Sequence, residues 1–143
     1  MESAVNTTTF SEVQGKYWNL TEVRKKSSTI NIDRTKAPLD IYTIKFESDH
    51  LTGAGAANSF SAAYAARENH TLSIVGFGRI RDDALYETEK FTEYEYFRHL
   101  QRANRWELHD GELDLHTYDE NGAGVVLVYL EDSHKEHQGI NNK

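Results

Sequence analysis

The chain has 143 residues, 23 acids against 16 Lys and Arg, a formal net charge of -7 and no cysteine. That length fits one domain with its own core, and the negative charge opposes binding to a phosphate backbone, so nucleic acid is not an expected partner. Without cysteine there is neither a disulfide nor a thiolate-bound metal, and no apolar run approaches the roughly 20 residues of a membrane span.

Residues 1–12 are polar and Thr-rich and read as a disordered leader. They hold no basic segment followed by an apolar one, so the chain as given shows no signal peptide. From Gly15 onward Tyr17, Trp18, Leu20 and Val23 stand among polar residues, which predicts a first strand with Trp18 and Leu20 on one face and Trp18 as a core anchor. Arg24, Lys25 and Lys26 form the basic run that follows; a solvated loop flank is the simpler reading, an anionic lipid or partner contact the other. Ile30 and Ile32 alternate as a short edge strand before a turn at Pro38, and strand signals resume over 41–46, where Tyr42, Ile44 and Phe46 share a face. Residues 47–50 are a turn, and Leu51 opens the next strand.

Residues 51–64, LTGAGAANSFSAAY, organise the chain. Small residues around Gly53 permit a close backbone crossing, Asn58 is suited to bond its own main chain in a turn, and Phe60, Ala62 and Tyr64 alternate as one face of a strand. A loop at Glu68 and Asn69 then returns the chain through Leu72 and Ile74. Gly76-Phe77-Gly78 lacks the Lys-Ser/Thr of a phosphate loop and reads as a strand end.

Asp82 and Asp83, with Glu87 and Glu89 behind them and Arg98, His99 and Arg102 at the far end, predict a helix over 83–103. Its expected apolar face carries Tyr86, Tyr94, Phe97 and Leu100, with Phe91 at the margin. The remainder predicts a meander: a strand from Trp106, a turn at 109–111, alternating Leu113, Leu115 and Thr117, a turn at 119–122, and a central strand over 125–130. The expected fold is a single α+β domain over 13–131, with a polar tail at 132–143. Its antiparallel, partly open β-barrel-like sheet has about six to eight strands, packed by the one main helix.

Gly53-x4-Asn58-x-Phe60-x3-Tyr64, preceded by Gly15, Trp18 and Leu20 and followed by the acidic-aromatic helix and a final pair of strands, resembles the META domain (HslJ-like) family. The resemblance places Ala57, and a position near Ala84, where that family has cysteines. It implies a non-catalytic envelope or secreted accessory protein, tied to stress tolerance, drug resistance or virulence and acting by binding. It also implies a lipid anchor upstream of the given residues; a cytoplasmic address is the competing reading. Trp18, Gly53, Asn58, Phe60 and Tyr64 are then structural residues. Two further classes stay open: a lipocalin-like carrier whose cavity for a small hydrophobic ligand is lined by Tyr64, Tyr94, Phe97 and Trp106, and a docking module for a protein partner.

No catalytic set, cofactor or metal is expected. His134 and His137 flank Glu136 at helical spacing in a short terminal segment without a third ligand. His50, His70, His109 and His116 fall in or beside turns, and His99 reads as a surface position. The carboxylates Asp82, Asp83 and Glu87, or Asp110, Glu112 and Asp114, each have a local role as cap, turn or outward strand residue.

Overall fold

The computed structural model describes residues 9–32, 34, 41–56, 58–80 and 91–132. In chain order the strands are β1 (Tyr17–Lys25), β2 (Thr29–Asn31), β3 (Thr43–Phe46), β4 (His50–Ala54), β5 (Ser59–Ala66) and β6 (Leu72–Ile80). The helix α1 (Glu93–Arg102) follows, then β7 (Arg105–His109), β8 (Glu112–Tyr118) and β9 (Gly124–Glu131). They make one antiparallel sheet in the order β6-β5-β4-β3-β1-β9-β8-β7, with β2 paired to β1. The described residues therefore hold nine strands, not six to eight. The short β2, β3 and β4, of three to five residues, each count as separate strands of that sheet.

The sheet curls until its ends touch. Thr71 bridges Arg105, the Leu72 amide donates to the Asn104 carbonyl at 3.1 Å, and the Trp106 amide donates to the His70 carbonyl at 2.9 Å. Beyond that point β6 and β7 diverge, and α1 packs across the opening against β6 and β8. The result is a curled half-barrel closed by one helix.

Two bulges keep the strands in phase with the core. In β1 the register shifts between Leu20 and Glu22, so Trp18, Leu20 and Val23 are all buried despite the odd spacing. In β6 the shift falls opposite Ser61 and Ala63, where Gly76 takes a φ of +67° that favours glycine. Leu72 and Ile74 face inward before the bulge, Val75 is exposed, and Phe77 turns back in to stack on Phe60 at 5.0 Å. Gly76-Phe77-Gly78 is therefore a bulge inside a strand, not a strand end.

The helix begins later than the acids of 82–89 indicate. Phe91 and Thr92 are not helical, and Thr92 is the N-cap: its hydroxyl accepts from the Glu95 amide at 3.2 Å while the Glu95 carboxylate accepts from the Thr92 amide at 3.1 Å. This capping box satisfies two orphan amides of the first turn, and Phe91 meets Tyr96 across it at 6.1 Å as a hydrophobic staple. Asp82, Asp83, Ala84, Tyr86, Glu87 and Glu89 lie outside the described residues, as do Pro38, Ala57, His134 and His137.

The buried face of α1 also differs from the expected one. Glu93, Tyr96, Phe97 and Leu100 are buried, whereas Tyr94 is 67% exposed. Steps of three residues fall about 60° short of a full turn, so Tyr94, Phe97 and Leu100 fan out around the helix while Tyr96 sits close to Leu100. Two further expectations are corrected here. Phe10, inside the supposed leader, starts a single 3₁₀ turn (Phe10–Glu12) and packs on Phe46, Tyr64 and Trp106 at ring separations of 5.0 to 5.5 Å. His99 is buried, at 5% exposure, rather than at the surface.

Candidate functional site

Three of the signature residues, Gly53, Asn58 and Phe60, converge on the junction of β4, β5 and α1. Gly53 pairs with Ile44 on one side and Phe60 on the other. A Cβ there would lie 2.2 Å from the Thr43 carbonyl oxygen and 2.6 Å from Cζ of Phe60, so only hydrogen fits. Phe60, laid into that space, meets Phe77 and Phe97 at 5.0 and 5.2 Å.

Asn58 bonds beyond its own turn as well as within it, where its carbonyl accepts from the Gly55 amide at 2.8 Å. Its amide donates to Oε1 of Glu93 at 2.8 Å and its side-chain Nδ2 donates to Oε2, so one buried carboxylate ties the β4–β5 loop to the first turn of the helix. Trp18 is 1% exposed and donates from Nε1 to the Val13 carbonyl at 3.1 Å. The Tyr64 phenol donates to the Glu47 carbonyl and accepts from Gln14 Nε2 at 2.7 Å; burial pushes it above the usual phenol range.

The four residues read as lining one cavity are divided. Tyr64 and Trp106 belong to an aromatic cluster around Phe10; Trp106 is fully buried, stacks on His70 at 4.3 Å and donates to the Arg67 carbonyl at 3.1 Å. Tyr94 and Phe97 instead line a groove of about 350 Å³ with Phe77, Arg98 and Gln101. The Arg98 guanidinium lies 5.7 Å from the Tyr94 ring centroid, a distance at which cation and ring quadrupole attract. The groove thus has an apolar floor, an exposed ring and a cation at its rim. Phe77 carried no functional weight in the sequence because the bulge that turns it inward was not foreseen.

Histidine is less idle than turn positions imply. His70 uses Nδ1 on the Trp106 carbonyl at 2.8 Å. On the outward face of the β7–β8 hairpin, His109 Nε2 lies 3.0 Å from Asp114 Oδ2 and 3.5 Å from Glu112 Oε2, and His116 Nε2 lies 3.1 Å from Glu107 Oε1. The bond to Asp114 raises the His109 pKa above the usual imidazole value, and burial followed by the neighbouring Asp114 raises that of Glu112.

His99 titrates in the other direction, because burial lowers its pKa despite the attraction of Glu95, and Lys25 and Arg102 lower it further. The unfolded chain takes up this proton near pH 6.5 and the folded one only below that, so His99 makes stability fall as the pH drops from 7 towards 5. His109, with its raised pKa, opposes the trend, but its side chain is half-exposed and counts for little. Replacing His99 by Gln is expected to flatten the loss of melting temperature between pH 7 and pH 5, measured by circular dichroism. An unchanged slope would assign the acid sensitivity elsewhere.

Among the described residues no helix is long and apolar enough to cross a membrane. A comparison with curated proteins gives no match. Two solved structures share the fold. One is a protein from Burkholderia xenovorans determined by NMR, 16% identical, with a TM-score of 0.60 over 93% of this chain and 96% of that one. The other is a DUF4847 family protein from Bacteroides vulgatus, 14% identical, with a TM-score of 0.58 over 86% of this chain and 96% of that one. At such identities the likeness carries the fold and nothing further. The META domain matches residues 11–133, a span that holds Trp18, the Gly53 to Tyr64 signature, α1 and the closing strands, and the chain belongs to the META domain family.

Proposed function

We propose that this protein is a non-catalytic accessory protein of the cell envelope or the secreted fraction, working by binding a protein partner through the groove between α1 and β6. The observation that carries the reading is the exposed Tyr94 beside Arg98 over a floor of Phe77 and Phe97. Tyrosine and arginine over a desolvated apolar floor are the residue types that dominate interface energies. The fitting partner is a segment that offers an apolar side chain to the floor and a carboxylate to Arg98. A role in stress tolerance or virulence is the physiological setting implied by the resemblance. The carrier reading is weakened at two of its four lining residues, since Trp106 is buried in the core, Tyr64 packs partly buried against it, and the polar atoms of both are bonded.

The double variant Tyr94→Ser, Arg98→Glu tests the groove. Both positions face solvent on α1, so the melting temperature should stay within what about 0.5 kcal/mol allows, while a partner cross-linked to the wild type in its own host should be lost. Capture that survives both substitutions would remove the groove. Native mass spectrometry of protein purified without detergent separates the carrier reading, which requires a reproducible bound small molecule.

A further inference from the structure

The geometry points to a divalent-cation site of the zinc class on the outward face of the β7–β8 hairpin, formed by His109, Glu112 and Asp114 and separate from the groove. The hairpin register assembles it: the Asp110-Gly111 turn places His109 opposite Glu112 and Glu107 opposite Asp114, all on one face. Donor atoms around a tetrahedral zinc at about 2.1 Å are about 3.4 Å apart. His109 Nε2 lies 3.0 Å from Asp114 Oδ2 and 3.5 Å from Glu112 Oε2, which brackets that edge.

The second observation is independent of the clustering. The Asp114 side chain is only 9% exposed, and among the described residues its Oδ1 has no hydrogen-bond partner. The carboxylate sits beside Glu112, another acid, and pairs across the strands with Val128, which is 2% exposed. Arg24 Nη1 lies 3.9 Å from Glu112 Oε2 but gives Asp114 Oδ1 no hydrogen bond, and a buried carboxylate oxygen without a donor, next to a second carboxylate, is an unfavourable arrangement that a bound cation relieves. The outward side of the cluster is open, because the His109 side chain is 52% exposed and gives an ion a way in. With three protein ligands, a fourth position remains for water or for a donor from another molecule. Glu107 and His116 form a neighbouring group with the same Asp114, so the test must distinguish the two.

The experiment uses the full, untagged chain carrying His134→Gln and His137→Gln, so that the terminal histidines do not contribute. Zinc chloride is titrated calorimetrically and cobalt chloride spectroscopically. One equivalent of zinc, with cobalt absorption of tetrahedral intensity, is expected. Asp114→Asn and His109→Gln should each weaken binding by at least about tenfold, since each removes a ligand, whereas His116→Gln should change it by less than about threefold. His109 is exposed, so its variant keeps the test valid if Asp114→Asn does not fold. Absence of binding in the parent chain would reduce the cluster to an ion pair, and a loss caused by His116→Gln but not His109→Gln would overturn the assignment.

Discussion

Replacing Gly53 by valine is expected to lower stability by about 3 kcal/mol or more, because the added carbon atoms have no place to go. The first of them would sit 2.2 Å from a main-chain oxygen of β3 and 2.6 Å from the ring of Phe60, and the third close neighbour, Cα of Ile44 at 3.1 Å, is also backbone. A flexible side chain could step aside. The β3–β4 ladder cannot, since Ile44 is held between Trp18 of β1 and Gly53 of β4. Moving Phe60 instead would pull it from Phe77 and Phe97 and open the floor of the groove. The melting temperature should therefore fall by roughly 10 °C, and Gly53→Ala should already produce most of the loss because Cβ makes the contact. A melting temperature within 2 °C of the wild type for the valine variant, set against roughly 10 °C expected, would show that the crossing has slack.

How much of this was legible in the residues depends on the range of the interaction that decides each feature. The β7–β8 and β8–β9 hairpins were readable because Asp110-Gly111 and Asn121-Gly122 impose turns locally, with Asp110, Gly111 and Gly122 at positive φ. The burial of Trp18, Leu20, Phe60 and Leu113 followed from alternation. The start of α1 was legible and was misread: Thr92-x-x-Glu95 is a capping box in plain sequence, but the run of acids before it drew the boundary upstream. The burial of Phe10 was not readable, since it depends on the cleft between Phe46 and Trp106, residues far away in the chain.

The site divides in the same way. Gly53 and Phe60 were identifiable as structural from the small-residue string, yet the partner of Asn58 was not, because Glu93 lies beyond a segment whose path sequence does not fix. The outward cluster could have been found: once the Asp110-Gly111 turn is accepted, counting back and forward in twos places His109 against Glu112 and Glu107 against Asp114. What counting could not supply is the depth of Asp114, which follows from its neighbour Val128 on a strand set by the whole sheet.

Asn58→Leu is expected to cost about 1–3 kcal/mol, through Glu93 rather than through the turn. The carboxylate of Glu93 is buried, at 7% exposure, and receives both the main-chain amide of Asn58 and its side-chain Nδ2. Leucine keeps the first donor and removes the second, placing an apolar group against a carboxylate oxygen that water reaches poorly. If the Asn58 side chain acted only within its own turn, Glu93→Gln would leave the effect of Asn58→Leu untouched. With the pair as observed, the two substitutions interact: a neutral amide at 93 presents a donor of its own, and the second mutation should then cost less than in the wild type. A double-mutant cycle by urea denaturation reads the difference directly, with a coupling of about 1 kcal/mol expected for residues in contact. Strict additivity would disconnect the β4–β5 loop from the helix, and with it the link from the Gly53 crossing to the placement of Tyr94 and Phe97. That link is how the signature governs the shape of the groove.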